Sequence, residues 1–79
     1  MYDLKIFGRN LKRYRCFRGL TQEDLAKKVG ITKDTVSKIE LGKQKNFGLK
    51  YLILICELLD VTIEELFVRD AKVKYYDAK

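Results

Sequence analysis

Seventy-nine residues, 47% hydrophobic and 35% charged, with a net charge of +6 and no proline, make one small domain with a helical-scale core and no room for a deep enclosed pocket. With no histidine and only two cysteines, Cys16 and Cys56, the chain has neither a histidine acid/base pair nor a four-ligand zinc site of its own, so no enzyme, cofactor, metal or small-molecule ligand is expected. Residues 1–46 carry a net +7 and residues 47–79 a net −1, an asymmetry that fits a polyanionic partner, although a solvated basic face would give the same count.

A first helix is expected over about 4–18, with Phe7, Leu11 and Tyr14 on one side and Gly19 ending it. Thr21, Thr32 and Thr62 then read as three N-caps. Each has an apolar residue just before it and another four after: Leu20 with Leu25, Ile31 with Val36, Val61 with Leu66. Glu65 completes a capping box with Thr62, and Asp24 stands in the same place after Thr21. The second helix covers about 22–29, with Leu25, Ala26 and Val29 inward and Gly30 at its end, and the third about 33–41, stopping at Gly42.

"KQKNF" is a basic loop, and a fourth helix fills about 49–59. Its run "YLILICELL" is apolar enough for a buried strand on periodicity alone. Continuation through Glu57 to Asp60 and Thr62, beside helical neighbours, favours a helix, and the run is too short to cross a membrane. With Leu52, Ile53, Cys56 and Leu59 facing the core, Leu54 and Leu58 are left over and need another surface. A short fifth helix covers about 63–67. In the tail, residues 68–79, Val73 and Tyr75 alternate with lysines over too short a span for a stable strand alone; it either pairs across a dimer or frays. The domain, residues 1–67, therefore reads as all-α.

Helices 2 and 3 carry the functional signal. Ala26 lets the second helix cross closely, Gly30 suits a tight turn, and Val36 and Ile39 seat the third helix. At 100° per residue, a core direction between Val36 and Ile39 leaves Asp34, Ser37, Lys38 and Leu41 outward, with Lys33 on the flank.

"GRNLKRYRCFRGLTQEDLAKKVGITKDTVSKIELGK" followed by "LKYLILICELLDVTIEELF" resembles the lambda-repressor-like (Cro/CI-type, XRE family) helix-turn-helix regulators, over about residues 6–67. The resemblance implies a five-helix DNA-binding domain that places its third helix in the major groove of double-stranded DNA, usually as a homodimer on a palindromic operator. By it, Lys33, Asp34, Ser37 and Lys38 occupy base-reading positions. Gln22 matches a phosphate-binding position, which its place at a helix N-terminus also favours, and Thr35, Lys43, Gln44 and Lys45 are further phosphate contacts. Arg15 and Glu40 match an ion pair joining helix 1 to the end of helix 3. Leu54, Leu58 and Tyr75 are the candidate dimer interface.

The pattern is broken at Phe47, where proline is frequent, at Gly48, where a serine cap is common, and at Asp60, where glycine is usual. Cys16 and Phe17 stand at positions normally charged and exposed. The expected function is a transcriptional regulator, a repressor or autoregulator, working in a reducing cytoplasm. The alternatives are a protein-interaction module such as an antitoxin-like partner, and a restriction-modification controller.

Overall fold

The computed structural model describes residues 3–44 and 46–68. Five helices follow one another, α1 Leu4–Phe17, α2 Gln22–Val29, α3 Lys33–Glu40, α4 Leu49–Leu59 and α5 Ile63–Leu66, and the described residues contain no strand. Lys45, Val73 and Tyr75, and with them the tail pairing, lie outside the described residues.

The starts of the helices follow the local chemistry. Thr21, Thr32 and Thr62 each accept a hydrogen bond from the amide three residues on, at 3.0 Å. Asp24 and Glu65 return the bond to the cap residue's own amide at 2.9 and 2.8 Å, so both capping boxes are complete. That amide bond holds the Asp24 carboxyl below its ordinary range. Leu20, Ile31 and Val61 pack against the core, and their partners Leu25, Val36 and Leu66 lie fully inside it.

One core joins all five helices. Phe7, Leu11 and Tyr14 of α1, Leu25, Ala26 and Val29 of α2, and Val36 and Ile39 of α3 enter it as expected. Burying each of the larger side chains contributes roughly 1.5–3 kcal/mol. On α4 the expected inward set holds in part: Leu59 is in the core and Leu52 and Cys56 pack against it, but Ile53 does not. Ile55 and Leu59 are the buried pair, Leu52 and Cys56 are half-buried, and Ile53 is exposed. The cause is phase: an i, i+4 pair at 55 and 59 meets α2 and α5, and Ile53 is carried to the other side with Leu49. Leu54 and Leu58 are half-buried against the same core, not left over. Phe17, at a position expected to be exposed, also packs against it, with the Arg18 guanidinium 5.3 Å from its ring centroid.

Three breaks in the pattern have local reasons. Gly48 starts α4 at φ 88° and ψ 140° with no side-chain cap, backbone that glycine adopts and serine does not without strain. Phe47 fills the place of proline by packing its ring on Phe7, at a centroid distance of 5.9 Å. Asp60 takes the left-handed conformation, φ 57°, which aspartate tolerates better than most side chains.

Gly8 lies inside α1 where its backbone meets the last turn of α3. A Cβ there would overlap the carbonyl oxygens of Ile39 and Glu40, both backbone atoms. Helix propensity alone makes Gly8→Ala stabilising by about 1 kcal/mol. The steric conflict reverses the sign, and urea denaturation is expected to show Gly8→Ala less stable by about 1–3 kcal/mol.

Candidate nucleic-acid interface

Helix α3 has two unlike sides. Val36 and Ile39 are fully buried, whereas Lys33, Asp34 and Lys38 are exposed and Ser37 is half-buried between them. Leu41, just past the helix, is exposed as the helical phase requires. The four expected reading residues therefore share one surface. Asp34 is not independent of its neighbours, because its Oδ2 lies 3.2 Å from Lys38 Nζ across one helical turn. Both groups are open to water, so the pair contributes a few tenths of a kcal/mol to stability.

The phosphate-binding candidates are more dispersed. Lys43 is exposed, and its amide donates to the Lys38 carbonyl at 2.9 Å, which ties the start of the loop to the end of α3. Gln44 Nε2 donates to the Asn46 carbonyl at 2.9 Å. The Thr35 hydroxyl pairs with the Thr32 hydroxyl at 2.9 Å, so part of its hydrogen-bonding capacity serves the cap.

Arg15 and Glu40 form the expected ion pair. Arg15 Nε donates to Glu40 Oε2 at 2.6 Å and Nη2 donates to Oε1 at 3.1 Å. The two side chains are only 8% and 4% exposed. Arg15 Nη1 also donates to the Leu20 carbonyl at 2.7 Å. The hydrogen bond to Glu40, opposed by burial, raises the arginine above its ordinary value, so its charge is fixed.

Sequence reasoning missed that Gln22 joins this pair. Its Nε2 donates to Glu40 Oε1 at 2.9 Å, so one carboxylate holds donors from α1 and α2. Nothing local marks a contact eighteen residues apart. Asn10 was missed as well. It is buried, and its Nδ2 donates at 2.8 Å to the carbonyls of Leu66 and Val68, closing the end of α5 onto α1.

A model of the helix-turn-helix family matches residues 11–66, a span that contains this whole surface. The chain belongs to the helix-turn-helix family. The HTH-type transcriptional regulator MJ0272 of Methanocaldococcus jannaschii is 45% identical over 58 residues, 73% of this chain and 86% of the relative. The HTH-type transcriptional regulator SinR of Bacillus subtilis is 30% identical over 70 residues, 89% of this chain and 63% of SinR.

Among solved structures, the restriction-modification controller protein C.AhdI from Aeromonas hydrophila is similar with a TM-score of 0.73 at 35% identity, covering 82% of this chain and 97% of that one. The biofilm regulator SinR in complex with DNA gives a TM-score of 0.70 at 32% identity, covering 78% and 98%. With family, fold and surface in agreement, this helix-turn-helix chain is a DNA-binding transcriptional regulator and not an enzyme. Among the described residues no helix is long and apolar enough to cross a membrane.

Removing one member of the buried pair leaves an uncompensated charge. Arg15→Met is expected to cost about 3–5 kcal/mol, whereas Arg15→Met combined with Glu40→Met, which leaves no buried charge, recovers most of that loss. Urea denaturation of the wild type and the two variants measures both.

Proposed function

We propose that this regulator binds a palindromic operator as a homodimer, reading bases from the outer face of α3 and acting in the cytoplasm as a repressor or autoregulator. The observation that carries the reading is a helix locked into the core on one side while Lys33, Asp34, Ser37 and Lys38 stand together on the other. Lysines favour guanine O6 and N7, and a carboxylate accepts from cytosine N4. Gln22, Thr35, Lys43, Gln44 and Lys45 supply the backbone contacts that fix register without reading sequence.

The same division sets the expected variants. Lys33→Ala and Lys38→Ala lower affinity for the preferred duplex by about 1–3 kcal/mol and relax the sequence preference. Lys43→Ala weakens all duplexes alike and reduces the slope of log affinity against log salt by about 1. Competition binding in which both groups act identically on every sequence would refute the division into readers and anchors.

For the homodimer, the exposed stripe of α4 is a better surface than Leu54 and Leu58, the two described residues of the interface expected from sequence. Leu49 is 69% and Ile53 48% exposed one helical turn apart, while Leu54 and Leu58 are partly used by the core. In sedimentation at tens of micromolar, the wild type is expected to be a dimer and Ile53→Asp a folded monomer. A monomeric wild type would remove the dimer from the proposal. Selection from a random duplex pool tests the rest, with a palindrome as the expected product. A controller of restriction-modification genes is the second reading, favoured by the likeness to C.AhdI at 35% identity.

A further inference from the structure

We propose that Glu40 is a positioning residue for DNA binding: its carboxylate holds the Gln22 amide, so that the phosphate contact at the start of α2 and the base-reading face of α3 are set as one unit. The inference rests on the DNA-binding reading above.

The geometry gives the reasons. Glu40 is the last residue of α3 and Gln22 the first of α2, and Glu40 Oε1 accepts from both Gln22 Nε2 at 2.9 Å and Arg15 Nη2 at 3.1 Å. The Glu40 side chain is nearly closed to solvent, 4% exposed, so it acts on a ligand only through a neighbour. Gln22 is half-buried, and its Nε2 carries two hydrogens about 120° apart. Committing one to Glu40 directs the other away from the end of α3 and fixes the rotamer before DNA arrives. A glutamine free to rotate would lose that freedom on binding instead.

Electrostatics makes the arrangement compatible with a polyanion. A bare carboxylate beside a phosphate would repel it, but the two-point bond from Arg15 neutralises Glu40. What remains towards solvent is an amide donor at a helix N-terminus, where the first backbone N–H groups have no partner within the helix.

A double-mutant cycle on the selected duplex tests the link, comparing Gln22→Ala in the wild type and in the Arg15→Met, Glu40→Met background, which removes the acceptor and leaves no buried charge, each shown folded by circular dichroism at the assay temperature. Gln22→Ala is expected to weaken binding about tenfold in the wild type, the size of a hydrogen bond to a charged group. In the Arg15→Met, Glu40→Met background the same change is expected to cost less than about twofold. The loss from Gln22→Ala is expected on selected and unrelated duplexes alike, because a phosphate contact reads no sequence.

A second readout needs no DNA. In 1H–15N spectra of the free protein, the Gln22 side-chain amide is expected to sit apart from exposed glutamines and to join them in the Arg15→Met, Glu40→Met variant. A tenfold cost of Gln22→Ala in both backgrounds, or a Gln22 amide unmoved by Arg15→Met with Glu40→Met, overturns this inference while DNA binding stands. A wild-type protein that selects no duplex overturns the DNA-binding reading first.

Discussion

An eight-residue helix is too short to be stable in water by itself, yet α3 must keep one whole side free of the protein. That constraint organises the rest of the structure. With only Val36 and Ile39 to bury, α3 is held at its ends and along its back by contacts that leave the reading face untouched. Thr32 caps its start, and Gly8 lets the backbone of α1 lie directly against its last turn. The Glu40 carboxylate then joins that turn to Arg15 and Gln22. Hydrophobic area alone would leave a helix of this length loosely seated.

The Arg15–Glu40 pair is a poor choice if stability were the only requirement, since desolvating two charges offsets most of their attraction. Its use lies in direction. A bidentate pair defines an orientation as well as a distance, and an apolar contact in the same place would tolerate rotation of α3 about its axis. For a helix proposed to present side chains to base edges, rotation by a few tens of degrees would redirect every one of them. The cost in desolvation is thus tied to a geometric demand that the core residues do not meet.

Much of the fold was legible because its signals are local. Each threonine cap and its flanking apolar pair lie within six residues of sequence, so Thr21, Thr32 and Thr62 mark helix starts without knowledge of the tertiary structure. The split of α3 into buried Val36 and Ile39 and exposed Lys33, Asp34 and Lys38 follows from helical phase. The run "YLILICELL" is the helix expected, but its inward face was only partly legible: when nearly every position is apolar, phase carries little information, and the neighbouring helices decide that Ile55 is buried and Ile53 exposed. Gly8, Asn10 and the bond from Gln22 to Glu40 were not legible, since each depends on a residue between eighteen and fifty-eight positions away. Ion pairing of Arg15 with Glu40 became readable only through family resemblance, which carries tertiary information that one chain's composition does not.

Asp34 stands on the face of α3 proposed to read bases. A carboxylate facing DNA repels the phosphates, so Asp34 needs a compensating function in any binder. In the free protein Asp34 Oδ2 lies 3.2 Å from Lys38 Nζ, close enough to offset part of its negative charge. Among the described residues Oδ1 has no such partner, and a carboxylate has capacity for more than one donor. On the proposed reading, Asp34 stays beside Lys38 while accepting from a cytosine amino group, so that acid and base read as a pair. Because both groups are exposed and the pair is weak, DNA can also break it at little cost. A sequence lacking the matching donor then meets an unpaired carboxylate, and the discrimination comes as much from that penalty as from the hydrogen bond a matching base supplies.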